Sequence, residues 1–131
     1  MLATDIMTEN PVVAREDMTA DEAMRLFYEL DFRHLPVVRD KELVGMLSDR
    51  DLRRFSSEKT DDPMTALSEA RDATVGELMN TDPVRVTPEA EVSEIVDLML
   101  MHRVGAIPVT DADTGDLLGI VSYVDLLRLL K

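Results

Sequence analysis

The feature that most constrains this 131-residue chain is an internal duplication. Met7, Pro11, Pro36 and Val37 recur 72 residues later as Met79, Pro83, Pro108 and Val109. A two-residue insertion near Asp113 then moves the shift to 74, so that Gly45, Ser48, Asp51 and Leu52 recur as Gly119, Ser122, Asp125 and Leu126. A repeat this regular means one folding unit used twice. Each copy ends in Gly-h-h-Ser-x-x-Asp, where h is apolar, running from Gly45 to Asp51 and from Gly119 to Asp125.

The order of elements follows from periodicity and turn chemistry. Thr4-Asp5-Ile6-Met7 reads as one helical turn, and Pro11-Val12-Val13-Ala14 as a short strand. Thr19-x-x-Glu22 is a capping box that opens a helix with Ala20, Ala23, Met24, Phe27 and Leu30 on one face. Leu35 to Val38 is a strand, Asp40-Lys41 a turn, Leu43 to Leu47 a buried strand, and a short helix starts at Asp49. The second copy repeats the order. Thr74-x-x-Glu77 caps its leading turn, and Val84 to Val86 is its first strand. Val92, Ile95, Val96 and Met99 form a helix stripe, Ile107 to Val109 and Leu118 to Val121 are strands about a turn at Asp113 to Asp116, and Tyr123 to Leu130 is the last helix. Each half is therefore β-α-β-β-α. Neither half, at about 60 residues, has enough core to be comfortable alone. The expected fold is α+β (α/β), with the two repeats packed in pseudo-twofold symmetry. The expected division is residues 1–56, a polar connector at 57–73 with one helical turn near Leu67, and residues 74–131.

Composition narrows the function. The chain has no Cys, which removes disulfides and thiolate metal sites. It also has no apolar run near the roughly 18 residues of a membrane span. With no secretory signal pattern at the N-terminus, the expected home is the cytoplasm. A net charge of −13 opposes nucleic acid and anionic membrane as partners, and any phosphate ligand needs a local basic cluster. Asp111-x-Asp113-x-Gly115-Asp116 lacks the glycine and final glutamate of a calcium loop, since Ser122 stands at the twelfth position. His34 and His102 have no metal-ligand spacing, and no nucleophile-elbow, Walker or dinucleotide motif is present. No metal site and no catalytic residue is expected.

The duplicated Ser and Asp carry the most chemistry. A hydroxyl and a carboxylate at a strand-to-helix junction suit a ligand with neighbouring hydroxyls, such as a ribose. The competing reading makes Ser48 and Ser122 plain N-caps and Asp51 and Asp125 acids at helix starts, worth about 0.3–1 kcal/mol each. Two stretches, Leu98 to Met101 and Tyr123 to Leu130, are apolar all round their helices. In a small chain the missing cover is expected to be a second copy, so a homodimer is expected.

The β-α-β-β-α halves, the leading Met-x-x-x-Pro, the Pro-Val strand and the Gly-h-h-Ser-x-x-Asp close resemble a tandem pair of CBS domains, named after cystathionine β-synthase. The resemblance runs from about Thr4 to Leu130. It implies a regulatory module that binds an adenosine-containing ligand (AMP, ADP, ATP or S-adenosylmethionine) in clefts between the repeats, without catalysis and without an obligatory cofactor. With no enzyme or transporter domain in the sequence, it implies a stand-alone CBS-pair protein whose effector partner is unknown.

Position by position, the resemblance makes Asp51 and Asp125 the ribose binders and gives Ser48 and Ser122 a hydrogen bond to ribose or phosphate. It lines the adenine slots with Val12, Val13, Met46, Val84, Val86 and Ile120. Basic residues before the Pro-Val strand would meet phosphates, here Arg33-His34 and His102-Arg103, which are out of register with each other. His102-Arg103 also suits the end of a helix, where cations are favoured anyway. Arg50 either reaches the phosphate or pairs with Asp49. The alternative function is a structural dimerisation module with degenerate, empty clefts.

Overall fold

The computed structural model describes residues 1–30, 33–52 and 73–131. The connector, with Asp61-Asp62-Pro63 and the turn near Leu67, lies outside them. The elements are α1 (Ala3–Ile6), β1 (Thr8–Glu9), α2 (Ala20–Leu30), β2 (His34–Arg39), β3 (Glu42–Ser48), a helical turn at 49–52, α3 (Val75–Leu78), α4 (Val92–His102), β4 (Ala106–Thr110), β5 (Leu117–Ser122) and α5 (Tyr123–Arg128). The last helix is two residues shorter than its apolar run, because Leu129 and Leu130 continue only as turn.

The chain forms two compact units that cut across the repeats. One holds Met1–Pro11, Asp40–Leu43 and Pro83–Lys131; the other holds Val12–Arg39 and Val44–Asp82. The leading segment of each repeat thus belongs with the body of the other.

In the first unit β5 is central in a sheet ordered β1-β5-β4. Thr8 and Glu9 pair antiparallel with Ile120 and Gly119, and β4 and β5 form a hairpin from Ala106↔Ser122 to Thr110↔Leu117. Gly115, at φ 76°, makes its turn. The core beneath contains Ile95 and Met99 of α4 with Ile107, Val109 and Val121 of the strands. That is the expected helix stripe meeting the expected strands, each fully buried aliphatic side chain contributing about 1.5–3 kcal/mol.

β2 and β3 pair, turning at Asp40, whose φ is 58°; all of β2 and β3 from Val44 onward lie in the second unit. Their core is closed by Ala20, Ala23 and Phe27 of α2, with Leu35, Val37 and Leu47 from the strands and Val75 and Leu78 from α3. Thr19 and Thr74 accept from the Glu22 and Glu77 amides, which is the hydroxyl half of each expected cap.

Two expected strands shrink to single bridges. Of Pro11 to Ala14 only Ala14 pairs, parallel to Val37; of Val84 to Val86 only Val86 pairs, parallel to Val109. Proline explains both. The Pro36 carbonyl accepts from Ala14 N and the Pro108 carbonyl from Val86 N. The proline nitrogens face the same side and have no proton to extend the ladder toward residues 12 and 84.

Both repeat glycines are required by close approach. A Cβ at Gly119 would stand 2.7 Å from Met7 Sδ and 2.9 Å from the Thr8 carbonyl oxygen. One at Gly45 would stand 2.6 Å from Met79 Sδ and 2.9 Å from the Asn80 carbonyl oxygen. The duplicated Met and the duplicated Gly are therefore partners, each Met lying on the Gly of the other repeat. No helix of the described residues is long and apolar enough to cross a membrane.

Candidate functional site

The two Ser/Asp junctions form in the same way. β3 ends at Ser48, whose N–H donates to Asp51 Oδ2 at 2.9 Å, while Asp51 N donates to Ser48 Oγ at 3.1 Å. β5 ends at Ser122, whose N–H donates to Asp125 Oδ2 at 2.8 Å, while Asp125 N donates to Ser122 Oγ at 3.4 Å. The Ser122 hydroxyl also lies 3.1 Å from Asp125 Oδ2. Both are reciprocal capping boxes, a Ser-x-x-Asp version of the familiar Ser/Thr-x-x-Glu pair. The capping reading of Ser48, Asp51, Ser122 and Asp125 is thus realised in both copies. It engages Oδ2 of each aspartate; Asp125 Oδ1 is 3.8 Å from Arg128. All four side chains are half-buried, reachable from solvent yet fixed in direction.

A second backbone bond ties each junction to the loop before its Pro-Val strand. Asp49 N donates to the Arg33 carbonyl at 3.2 Å, and Tyr123 N donates to the Gly105 carbonyl at 2.9 Å. These bonds make Arg33 and Gly105 structural equivalents, and likewise His34 and Ala106. The first-repeat junction therefore has Arg33, His34 and Arg50 beside it, together with the acids Asp49 and Asp51. Arg33 and Arg50 are exposed, and neither is in an ion pair among the described residues. His34 is half-buried, and burial lowers its pKa below the ordinary 6.5. Asp49 and Asp51 oppose that shift, while Arg50 and Arg33 add to it.

His102 and Arg103 stand at the end of α4. His102 is the last residue of α4, and Arg103, at φ 54°, closes the helix by donating its N–H to the Met99 carbonyl. Both are exposed, and no hydrogen bond or ion pair among the described residues joins them to Ser122 or Asp125.

The apolar candidates divide by burial. Val12 is exposed, and Val13, Val84 and Ile120 are half-buried. Met46 and Val86 are covered, at 8% and 7% exposure. Val86 belongs to the core of the first unit and is the counterpart of Ala14, so it backs the sheet rather than offering a surface. Sequence reasoning missed Asn80, whose backbone exchanges two hydrogen bonds with Met46, and the matching Thr8–Ile120 pair. It also missed the replacement of Asp49 and Arg50 by Tyr123 and Val124, which the 74-residue shift could have revealed.

Asp111 is a turn residue. Its Oδ1 accepts from Asp113 N at 2.8 Å and Thr114 N at 3.0 Å, and these bonds hold its pKa below the usual carboxylate value. No group of three metal-ligating side chains occurs among the described residues.

A family model for the CBS domain matches residues 3–58 and 75–131. The chain belongs to the CBS-domain family. The CBS domain-containing protein YhcV of Bacillus subtilis is 30% identical over 122 residues, 93% of this chain and 80% of YhcV. The crystal structure of CBSX2 in complex with AMP matches this CBS pair with a TM-score of 0.83 at 29% identity, covering 98% of this chain and 95% of that one. Homoserine O-acetyltransferase of Methanohalobium evestigatum is 28% identical over 129 residues. Those residues are 98% of this chain but 24% of that enzyme, so the CBS pair spans about a quarter of that relative.

Proposed function

We propose that this CBS pair is a non-catalytic regulatory module that binds an adenosine-containing ligand and passes its occupancy to a partner. The observation that carries the reading is the doubly built Ser/Asp junction. In each box the Ser amide fixes Oδ2 of a half-buried carboxylate while the Asp amide fixes the Ser hydroxyl, with Oδ1 left over from each cap. A carboxylate oxygen so fixed can accept from ribose hydroxyls without giving up its cap. The AMP complex of CBSX2, a relative of nearly the same length, supports the adenosine part. Membership of the family supports a regulatory role.

Transmission would run through a homodimer. Leu100 and Met101 of α4 are 73% and 74% exposed, and Leu127 and Leu130, in and just after α5, are 58% and 84% exposed. Apolar side chains this open favour cover by a second copy. The partner that reads the signal, and a cytoplasmic setting, belong to the same reading.

Calorimetry of the chain against AMP, ADP, ATP, S-adenosylmethionine and GTP tests it. Adenine ligands are expected to bind and GTP to bind more weakly. Silence with every adenosyl ligand overturns the reading and leaves a dimerisation module with empty clefts.

A further inference from the structure

We infer that the two junctions divide ligands by charge: the first repeat takes a phosphorylated adenosine, and the second an adenosine whose 5′ substituent is uncharged and apolar. The inference rests on the adenosine-site reading above.

The backbone makes the two places comparable. Each has the same Ser/Asp box, and each has an amide following the Ser that donates to the carbonyl of the loop before the Pro-Val strand. Four side-chain positions around that frame then differ in kind. Arg33, His34, Asp49 and Arg50 in the first repeat stand where Gly105, Ala106, Tyr123 and Val124 stand in the second.

A phosphate monoester carries about −1.5 to −2 charges and three acceptor oxygens. In a chain of net charge −13 it settles only where cations are local, since salt screens charge beyond ~8–10 Å. The first repeat supplies two exposed guanidiniums, the side chain best suited to bidentate phosphate contact, and a half-buried imidazole, whose pKa burial lowers, as a neutral hydrogen-bond donor. The second supplies no cation at the equivalent positions. It offers instead Tyr123 and Val124, 44% and 39% exposed, whose ring and methyl groups an apolar 5′ group would cover. Among the described residues Asp125 is ion-paired with Arg128, its helical (i, i+3) partner. His102 and Arg103 do not repair the deficit, because they sit at the end of α4, unjoined to the junction among the described residues.

The test is calorimetry on the full chain with two probes, AMP and 5′-methylthioadenosine. The parent, the Arg33→Ala/Arg50→Ala double variant, Asp51→Asn and Asp125→Asn are compared. The Asn variants keep an oxygen for each cap, and circular dichroism checks that they fold. The parent should bind both probes at once, one of each per chain. The double Arg variant should lose about tenfold or more for AMP, the size of a lost charge-assisted hydrogen bond, and stay within about twofold for methylthioadenosine. Asp51→Asn should weaken AMP selectively, and Asp125→Asn methylthioadenosine selectively. If both probes bind but compete for one place, or if the Arg variant binds AMP like the parent, the division by charge is refuted and the adenosine reading stands. If neither probe binds, both fall together.

Discussion

Gly119→Ala is the sharpest probe of how the repeats are built. Gly119 lies in β5 at a φ outside the left-handed region, so alanine meets no backbone penalty there. By conformational entropy alone the change should stabilise by about 0.4–1 kcal/mol. Packing reverses the sign. The new Cβ would fall 2.7 Å from Met7 Sδ, 3.0 Å from Met7 Cγ and 2.9 Å from the Thr8 carbonyl oxygen, where ordinary contact begins at 3.4 Å. The thioether can swing aside. The carbonyl cannot, because Thr8 is paired with Ile120 in the sheet, and clearing the methyl requires β1 to move by about half an ångström. Overpacking of this kind costs about 1–3 kcal/mol. For a chain of this size that is a fall in melting temperature of roughly 4–12 °C. Gly45→Ala should cost a similar amount against Met79 and Asn80, since its distances match within 0.1 Å. Gly76→Ala is the control. Its Cβ would meet Glu16 at 3.3 Å and lies in helix α3, where alanine is the better residue by up to ~1 kcal/mol. Urea and thermal unfolding followed by circular dichroism read all three. A Gly119→Ala protein as stable as the parent, or as the Gly76→Ala control, would refute the exchange of leading segments.

Three further outcomes are expected. Ser122→Ala removes the hydroxyl half of its capping box and should lower stability by about 0.5–2 kcal/mol in urea unfolding, with no loss meaning that Asp125 caps alone. Burial depresses the His34 pKa, so the unfolded chain binds the proton first. The stability of the free protein is intact above the ordinary 6.5 and falls as pH drops below it toward the folded value, a slope that His34→Gln should flatten. A dimer held by the exposed leucines should sediment at twice 14.7 kDa and dissociate on Leu127→Glu/Leu130→Glu substitution; a parent that sediments as a monomer removes the interface.

The parts legible in sequence are those whose physics is local. The α2 and α4 stripes were visible because one side chain in three or four must be apolar to close a core, and Ala23, Phe27, Ile95 and Met99 are indeed buried. The turns at Asp40 and Gly115 followed from residues that tolerate positive φ. The Ser/Asp junctions were visible through their repetition, and the capping side of their chemistry is what the hydrogen bonds display. Hidden were features that depend on a distant partner. Thr8–Glu9 is two exposed polar residues with no periodicity, and only the open edge of β5 makes it a strand. Pro36 and Pro108 stand inside the expected strands, and their missing protons end a ladder whose other side the sequence does not identify. Of the two readings of Arg103, a phosphate contact before the Pro-Val strand and a helix end, the αL backbone displays the second, closing α4.

The exchange of leading segments changes what the duplication means. Within one unit, Met7 packs on Gly119, and β1 completes the edge of the strand that delivers Ser122 and Asp125 to their junction. Within the other, Met79 packs on Gly45, and Asn80 binds the backbone of Met46, two residues before Ser48. Each repeat therefore provides the edge on which the other repeat's site is built. The Met-x-x-x-Pro and Gly-h-h-Ser motifs are two halves of one contact made across the repeats, and neither is complete in a single copy. This accounts for a chain with two similar halves of which neither closes its own sheet. It also predicts where divergence is free. The Met–Gly contact and the Ser/Asp box must match in both copies, because each holds a backbone position. Residues 33, 34, 49 and 50 against 105, 106, 123 and 124 keep the same backbone frame at the junction while their side chains differ, ionisable in one copy and without a cation or carboxylate in the other.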